Sequence, residues 1–187
     1  YTVGVLVQCN TGDRKVLRIA GVPVGQFFTK SWLPCYDAGQ SKPEQTPKCG
    51  GAGKALPDQG SIIIIVGTDA PLSPLQLNRV AKRGALGLAR LGSYSGTSSG
   101  DIIMAFSTVP GEVNYSEQKA PLPITPIPEA EVNAVFEATV QATEEAVVNA
   151  MVAARTTTGA DGYTMYGLPH DELRAILKRY NRLEASK

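Results

Sequence analysis

The sequence has 187 residues, which is enough for one domain of ordinary size and too few for two domains that each bury a good core. Its 43% hydrophobic and 19% charged residues are near the averages of globular proteins, which argues against a disordered chain, a collagen, a coiled coil or a disulfide scaffold. The formal net charge is +1 and no basic cluster is present, so nucleic acid is not expected as a partner.

The chain begins directly with a strand pattern. Tyr1 is not an initiator Met and no basic stretch leads into an apolar core, so we expect a piece of a longer protein whose targeting segment is not visible. Residues Thr2–Gln8 are β-branched and apolar, a turn pattern follows at Asn10–Asp13, and apolar alternation returns in Lys15–Ala20. The two apolar segments predict a β-hairpin.

A long loop is predicted over residues 21–60, where prolines alternate with glycines. Loops of this length are usually functional or disordered. The three cysteines are too few for a disulfide framework. Cys35 and Cys49 lie at the two shoulders of a polar stretch and either form a bridge or stay reduced, whereas Cys9 is expected to be a buried thiol in a strand.

The apolar run Ile62–Val66 contains only β-branched residues without polar alternation, which is typical of a central strand covered on both faces. It is the longest apolar run and is far shorter than the roughly 20 residues that a helix needs to cross a bilayer, so no membrane span is expected. Ser73 as N-cap and Pro74 at the first helical position predict a helix as far as about Arg90, where Gly92 ends it.

The rest of the chain continues to alternate strands and helices. A hydroxyl-rich loop at 93–100 leads into a second buried strand, Asp101–Ser107. Glu129–Ala154 contains no Gly or Pro and predicts the longest helix. A short strand at Tyr163–Tyr166 and an amphipathic helix over Pro169–Leu183 complete the pattern, which favours a layered α/β or α+β fold.

Several kinds of chemistry are not supported. His170 is the single histidine and no Cys-x-x-Cys pair is present, so neither a metal site nor a cofactor is expected, and His170 is expected in the first turn of a helix. A Ser-His-Asp triad would depend on His170 and has no nucleophile elbow to support it. The glycine-rich run Gly50–Lys54 lacks the first Gly and the final Ser or Thr of a phosphate-binding loop, so we interpret it as a surface loop.

The dipeptide Gly60–Ser61 precedes the predicted central strand. A serine without a histidine partner becomes a nucleophile with its own base if the bond before it is cut, because its α-amine has a reference pKa of about 7.7 to 8.0. Attack of the Ser61 hydroxyl on the Gly60 carbonyl would make that cut, and a glycine leaves the carbonyl accessible. Without further support, the same dipeptide is an ordinary turn.

Longer motifs extend this interpretation. The runs Gly60–Leu72, Leu86–Arg90 and Ser99–Thr108, with Thr2–Asn10 and Arg18–Gly25 upstream and Leu168–Asp171 downstream, closely resemble the self-processing L-aminopeptidase/D-amidase/D-esterase family, which includes the β-peptidyl aminopeptidases. The likeness extends over nearly the whole chain in the right order.

The resemblance implies roles for individual residues. Ser61 would be the nucleophile, with self-cleavage between Gly60 and Ser61. Ser99 and Asp101 match the second serine and the acid that hold the nucleophile, and Asn10 matches the asparagine that stabilises the oxyanion. From the residues alone, Ser99 is a turn residue, Asp101 caps a strand and Asn10 belongs to a hairpin turn.

The resemblance also implies a fold and an activity. The fold is an α/β, four-layer αββα sandwich of the N-terminal-nucleophile kind, shared with ornithine acetyltransferases. The chain would be one domain, the C-terminal part of a precursor, with residues 1–60 ending an α-chain and residues 61–187 forming a β-chain. The activity would be hydrolysis of N-terminal amino-acid amides, esters or short peptides, without a cofactor, by associated chains in a homo-oligomer. Two departures are the absent N-terminal half and an insertion over residues 32–57.

Two alternatives remain open. An acyl transferase of the ornithine acetyltransferase kind would use the same fold, although those enzymes carry an N-terminal threonine where this chain has Ser61. A non-catalytic assembly domain would keep the Gly60–Ser61 bond intact, since a fold by itself does not determine an activity.

Overall fold

The fold is taken from a computed structural model, which describes residues 1–10, 14–28, 60–109, 124–158 and 164–183. The strands are β1 (Val3–Asn10), β2 (Ser61–Thr68), β3 (Ile102–Ser107), β4 (Thr157–Thr158) and β5 (Thr164–Met165). The helices are α1 (Pro74–Arg90), α2 (Glu129–Ala153) and α3 (His170–Arg179), and short 3-10 turns occur at Arg14–Val16 and Val24–Gln26.

The main sheet has the order β1-β2-β3, with β2 in the centre. β1 runs antiparallel to β2, so that Val3 lies opposite Thr68 and Asn10 lies opposite Ser61. β3 runs parallel to β2, and α1 connects the two strands. A parallel pair needs such a crossover, whereas antiparallel strands do not. The strands β4 and β5 form a separate two-stranded sheet.

One face of the main sheet is covered by helices. α1 packs against β2 and β3, and α2 packs against β1 and α1. Alternate residues of β2 point into this layer, where Ile62, Ile64 and Val66 are at most 1% exposed. The core on this side also includes residues of both helices, namely Val80, Leu88, Val132, Val135, Phe136 and Val147.

The opposite face of the sheet is apolar but is not covered by the described residues. We call it the open sheet face, and it consists of Leu6, Ile63, Ile65, Ile102, Met104 and Phe106. Leu6 is 69% exposed, Ile102 is 58% exposed and Met104 is 52% exposed. Contiguous exposed apolar surface of this kind is uncommon on soluble monomers and marks a site where something else packs.

Local signals explain the position of α1. The Ser73 hydroxyl accepts a hydrogen bond from the Gln76 backbone N–H (3.2 Å), and the Gln76 side-chain oxygen accepts one from the Ser73 N–H (2.9 Å), which is a capping box. The Gln76 amide also donates to the Ile127 carbonyl (3.0 Å) and so ties the start of α1 to the segment before α2. At the other end, Gly92 adopts a φ of 101°, which a side chain would disfavour.

The two helices approach closely at Gly87. A Cβ atom at this position would lie 2.6 Å from Thr143 Cβ and 2.6 Å from the Val140 carbonyl oxygen, both on α2. The absence of a side chain at Gly87 therefore permits the α1–α2 packing. A second apolar cluster attaches α3 to the segment after β1, and its buried members are Ile19, Val22, Val24, Phe28, Leu168, Leu173 and Leu177.

Two expectations from the sequence are wrong. The predicted hairpin between Thr2–Gln8 and Lys15–Ala20 does not form: β1 pairs with β2, and residues 14–16 form a 3-10 turn. The isoleucine strand provides the more apolar partner for β1, and hydrogen-bonded pairing along eight residues favours that arrangement. β2 is central as predicted, but within the described residues only one of its faces is buried, since Ile63 is 40% exposed.

The predicted strand at Asp101–Ser107 forms as β3 but is not buried: within the described residues its alternate side chains from Ile102 to Phe106 are exposed on the open sheet face. The remaining predicted elements are confirmed with small shifts. α1 has the predicted bounds, α2 ends one residue earlier, and α3 is shorter at both ends than predicted. Cys9 is half-buried rather than fully buried. Most of the predicted loop over 21–60, with Cys35, Cys49 and the insertion at 32–57, is outside the described residues. In the described ranges, no helix is long and apolar enough to cross a membrane.

Candidate active site

Ser61 is the first residue of the central strand. Its side chain belongs to the open sheet face, because the alternate residues Ile62 and Ile64 point into the helical layer. The Gly100 backbone N–H donates a hydrogen bond to Ser61 Oγ (3.1 Å). A Cβ atom at position 100 would also be 3.1 Å from that oxygen, so a glycine there allows the close approach. A donor at Oγ stabilises the negative charge that develops when the hydroxyl loses its proton.

Asp101 holds the backbone immediately after Ser61. Its Oδ1 accepts a hydrogen bond from the Ile62 N–H (3.0 Å), and its Oδ2 accepts one from the Ser95 hydroxyl (2.8 Å). Asp101 directly precedes β3, the strand parallel to β2, so the topology brings this carboxylate to the start of β2. The position next to Ser61 fits the acid inferred from the resemblance.

Asn10 is the last residue of β1 and lies opposite Ser61 in the antiparallel register. Residues directly opposite each other on antiparallel strands have their side chains on the same face, with Cβ atoms about 4.5 to 5.5 Å apart. Asn10 is exposed, so its amide is accessible from the open sheet face. It therefore ends a strand and does not belong to a hairpin turn.

Ser99 is placed next to the site but is not joined to it by its side chain. Its backbone N–H donates to the Gly96 carbonyl (2.8 Å), which is the turn role considered from the residues alone. The following residue, Gly100, makes the contact with Ser61. Within the described part of the chain, the Ser99 hydroxyl makes no hydrogen bond to Ser61, so the structure brings together Ser61, Asp101 and Asn10 more directly than Ser99.

Two residues of the site were not identified from the sequence. They are Ser95 and Gly100, both in the hydroxyl-rich loop before β3. The available signal was the density of Ser and Gly in a loop that leads into a strand beside Ser61, but nothing in it distinguishes one serine from another. His170 is an exposed residue at the start of α3, as predicted.

The arrangement fits acyl transfer to a serine oxygen. It combines a half-exposed hydroxyl, a backbone N–H at that oxygen, a carboxylate beside the adjacent backbone nitrogen, and an amide on the facing strand. Among the described residues, no group of three or more His, Cys, Asp or Glu side chains has the arrangement of a metal site.

Comparison with known proteins gives consistent matches. The sequence profile of peptidase family S58 matches residues 1–165. The chain is 48% identical over 187 residues to the beta-peptidyl aminopeptidase BapA of Sphingosinicella microcystinivorans, covering 100% of this chain and 46% of that protein. The chain therefore spans less than half the length of this relative.

Solved structures agree with this result. The L-aminopeptidase D-Ala-esterase/amidase of Ochrobactrum anthropi, described as a variant of the Ntn hydrolase fold, matches with a TM-score of 0.75 and 36% identity, over 97% of this chain and 44% of that one. A beta-aminopeptidase of Burkholderia sp. matches with a TM-score of 0.69 and 34% identity, over 95% of this chain and 44% of that one. Because the family profile matches most of the sequence, the chain belongs to peptidase family S58.

Proposed function

We propose that the protein is a self-cleaving serine aminopeptidase or amidase that hydrolyses N-terminal amino-acid amides, esters or short peptides through an acyl-enzyme on Ser61. The observation that carries this proposal is the position of Ser61, which begins the central strand with its Oγ hydrogen-bonded to Gly100 and its next backbone N–H held by Asp101. Membership of peptidase family S58 supports the same reaction class.

Self-cleavage would proceed by an N-to-O acyl shift. Ser61 Oγ attacks the Gly60 carbonyl carbon, a C–O bond forms, the Gly60–Ser61 C–N bond breaks, and the hydroxyl proton is transferred to the released amine. Water then hydrolyses the ester. The products are a Gly60 carboxylate and a Ser61 residue with a free α-amine and a free hydroxyl, so the cleavage divides the chain into residues 1–60 and 61–187.

Turnover would use the same two groups. The neutral α-amine of Ser61 accepts the hydroxyl proton, Oγ attacks the substrate carbonyl, and the leaving amine or alcohol departs with a proton. Asn10 on the facing strand is suited to donate to the oxyanion, since its side chain shares a face with Ser61. Water releases the acyl group, and no cofactor takes part. Activity should rise with pH as the amine, whose reference pKa is about 8, loses its proton.

The open sheet face supports a four-layer αββα sandwich. The described residues supply one helical layer packed on the three-stranded main sheet, and that sheet exposes Leu6, Met104 and Phe106 on the side of Ser61. β2 has the continuous apolar pattern of a strand covered on both faces. A second sheet from the longer protein, packed on the open sheet face and backed by its own helices, would complete the sandwich as in ornithine acetyltransferases.

Intact-mass measurement tests the proposal. The protein at its full natural length is denatured and weighed before and after incubation, and hydrolysis of an amino-acid amide is assayed. Wild type should give two pieces divided between Gly60 and Ser61, and Ser61→Ala should remain whole and inactive. Thr97→Ala, which removes an exposed hydroxyl from the neighbouring loop, is the matched control and should behave as wild type.

Other outcomes would contradict the proposal. An uncut wild-type chain without hydrolysis would favour a non-catalytic assembly domain. Transfer of the acyl group to an added amino acid in place of water would favour the acyl transferase. Turnover by Ser61→Ala would show that another nucleophile operates.

A further inference from the structure

We propose that Ser95 is a positioning residue that fixes the orientation of the Asp101 carboxylate. The Ser95 hydroxyl donates to Asp101 Oδ2 (2.8 Å), while Asp101 Oδ1 accepts from the Ile62 backbone N–H (3.0 Å). Each carboxylate oxygen thus has its own donor. This inference rests on the proposed function, because it concerns the group that would hold the nucleophilic residue.

Both hydrogen bonds are needed to fix the orientation of the Asp101 carboxylate. A carboxylate that is held at one oxygen alone turns easily about its last side-chain bond, since that torsion has a broad energy profile. The second donor, Ser95, restricts this rotation. The carboxylate plane is then fixed with one oxygen on the Ile62 backbone nitrogen, one residue after the Ser61 nitrogen that cleavage would release as an α-amine.

The backbone of Ser95 is unusual. Its φ is 47°, in the left-handed region that favours glycine and, to a lesser degree, asparagine. A serine at this position keeps a hydroxyl at the expense of backbone strain, and strain of this kind is concentrated at functional sites. The left-handed turn also aims the side chain of Ser95 at a carboxylate six residues further along the chain.

The position of Asp101 matters because its carboxylate is bound to the Ile62 N–H, the backbone nitrogen that follows the proposed base. On the side of β1 the residue facing Ser61 is Asn10, and on the side of β3 it is Gly100, both uncharged, so the charged side chain next to this position in the described residues is that of Asp101. A carboxylate held beside the ammonium form of the Ser61 amine favours that form and raises its pKa. When the carboxylate is free to rotate away, the amine should lose its proton at a lower pH.

Three variants of the protein at its full natural length test the proposal. Ser95→Ala removes the hydroxyl and keeps the strain, Ser95→Gly removes the hydroxyl and relieves the strain, and Thr97→Ala removes an exposed hydroxyl from the same loop. The measurements are kcat/KM for an amino-acid amide across pH, the rate of self-cleavage, and the thermal midpoint.

Both Ser95 variants should lose about tenfold in kcat/KM, as expected for one hydrogen bond to a charged group. In both, the acid limb of the pH profile should move to lower pH. The thermal midpoint of Ser95→Gly should be no lower than that of Ser95→Ala, because glycine suits the positive φ at this position. The kcat/KM of Ser95→Gly should nevertheless be as low as that of Ser95→Ala. Thr97→Ala should match wild type in each measurement.

A purely structural role of Ser95 predicts a different result, and that result would overturn the proposal. In that case Ser95→Gly would restore wild-type kcat/KM, and neither variant would shift the pH profile. If wild type is active and Ser95→Ala is fully active, the role proposed for Ser95 is rejected and the proposed function still stands. A wild type that neither cleaves itself nor hydrolyses the amide rejects the proposed function, and the inference about Ser95 with it.

Discussion

Asn10 and Ser61 face each other at the end of the β1–β2 ladder, although they are far apart in the sequence. The pairing sets the amide of one residue and the hydroxyl of the other on the same face of the sheet. It also makes the antiparallel register a determinant of the site, since a slip of one residue would turn Ser61 toward the helices.

The first prediction concerns this pair. Asn10→Ala should lower kcat by about a hundredfold, the usual cost of removing one side-chain donor to an oxyanion. Steady-state kinetics with an amino-acid amide measures the effect. Gln8→Ala is the matched control, because Gln8 is the preceding exposed residue on the same face of β1 and pairs with Ile63. Equal rates for the two variants would remove Asn10 from the proposed mechanism.

The second prediction concerns the open sheet face. Met104 is 52% exposed in the described residues, and an exposed substitution usually changes stability by no more than about 0.5 kcal/mol. If a second sheet covers Met104, Met104→Ser in the protein at its full natural length should cost about 2 kcal/mol or more of unfolding free energy. Denaturant unfolding measures this difference.

Leu75→Ser is the control for the second prediction. Leu75 is 71% exposed on α1, which packs on the other side of the sheet, so this change should cost little. A Met104→Ser protein as stable as wild type would contradict the four-layer arrangement.

The third prediction concerns the approach of α1 to α2. Gly87→Ala should destabilise the protein by about 2 kcal/mol, because the added methyl group meets backbone and Cβ atoms of α2 at 2.6 Å. Gly84→Ala is the matched control on the same helix, where the nearest atom is an Ile103 side-chain methyl at 3.1 Å that can shift. Both changes gain helix propensity, so the difference between their thermal midpoints reports the close approach. Equal thermal midpoints for the two variants would show that α2 moves away from α1 without loss of stability.

The fourth prediction concerns pH. Burial raises the pKa of the Cys9 thiol above its ordinary value, since it disfavours the thiolate. The folded protein then holds this proton more tightly than the unfolded chain. The resulting contribution to stability is present below the unfolded pKa of about 8.5 and is lost as pH rises through the folded pKa.

Cys9→Ser tests this contribution. Its unfolding free energy should fall less steeply than that of wild type above about pH 8.5, since a serine hydroxyl does not titrate there. Both proteins keep the other two cysteines, so any contribution of these thiols to the pH dependence of the unfolding free energy is the same in both and cancels in the comparison. Parallel curves of unfolding free energy against pH would contradict the prediction.

Local signals explain which parts of the fold could be predicted from the sequence. The capping residue Ser73 and the absence of Gly and Pro after Glu129 mark helices without reference to the rest of the chain. The partner of β1 is set by pairing across a long stretch of sequence, so local turn residues near Asn10 suggested a hairpin that does not form. The continuous apolar pattern of β2 was interpreted as two covered faces, of which the described residues cover one.

The candidate site, like the fold, could be predicted only in part from the sequence. Ser61, Asp101 and Asn10 were identified through a resemblance, and the sheet register explains why they meet. Ser95 could not be singled out, because its contact with Asp101 depends on a positive φ and not on its residue type among several serines of one loop. The resemblance identified which residues of the sequence belong to the site, whereas the conformation of the loop is seen only in the structure.

The order of the strands has a further consequence for the cleaved protein. β1 precedes the proposed scission point and β2 follows it, and the two strands are joined along eight residue pairs. The two polypeptides produced by scission would therefore be partners in one continuous sheet. Heat or denaturant would convert that single unit into two independent molecules, and recovery of the folded structure on cooling would depend on protein concentration, whereas an uncut Ser61→Ala protein would refold at any dilution.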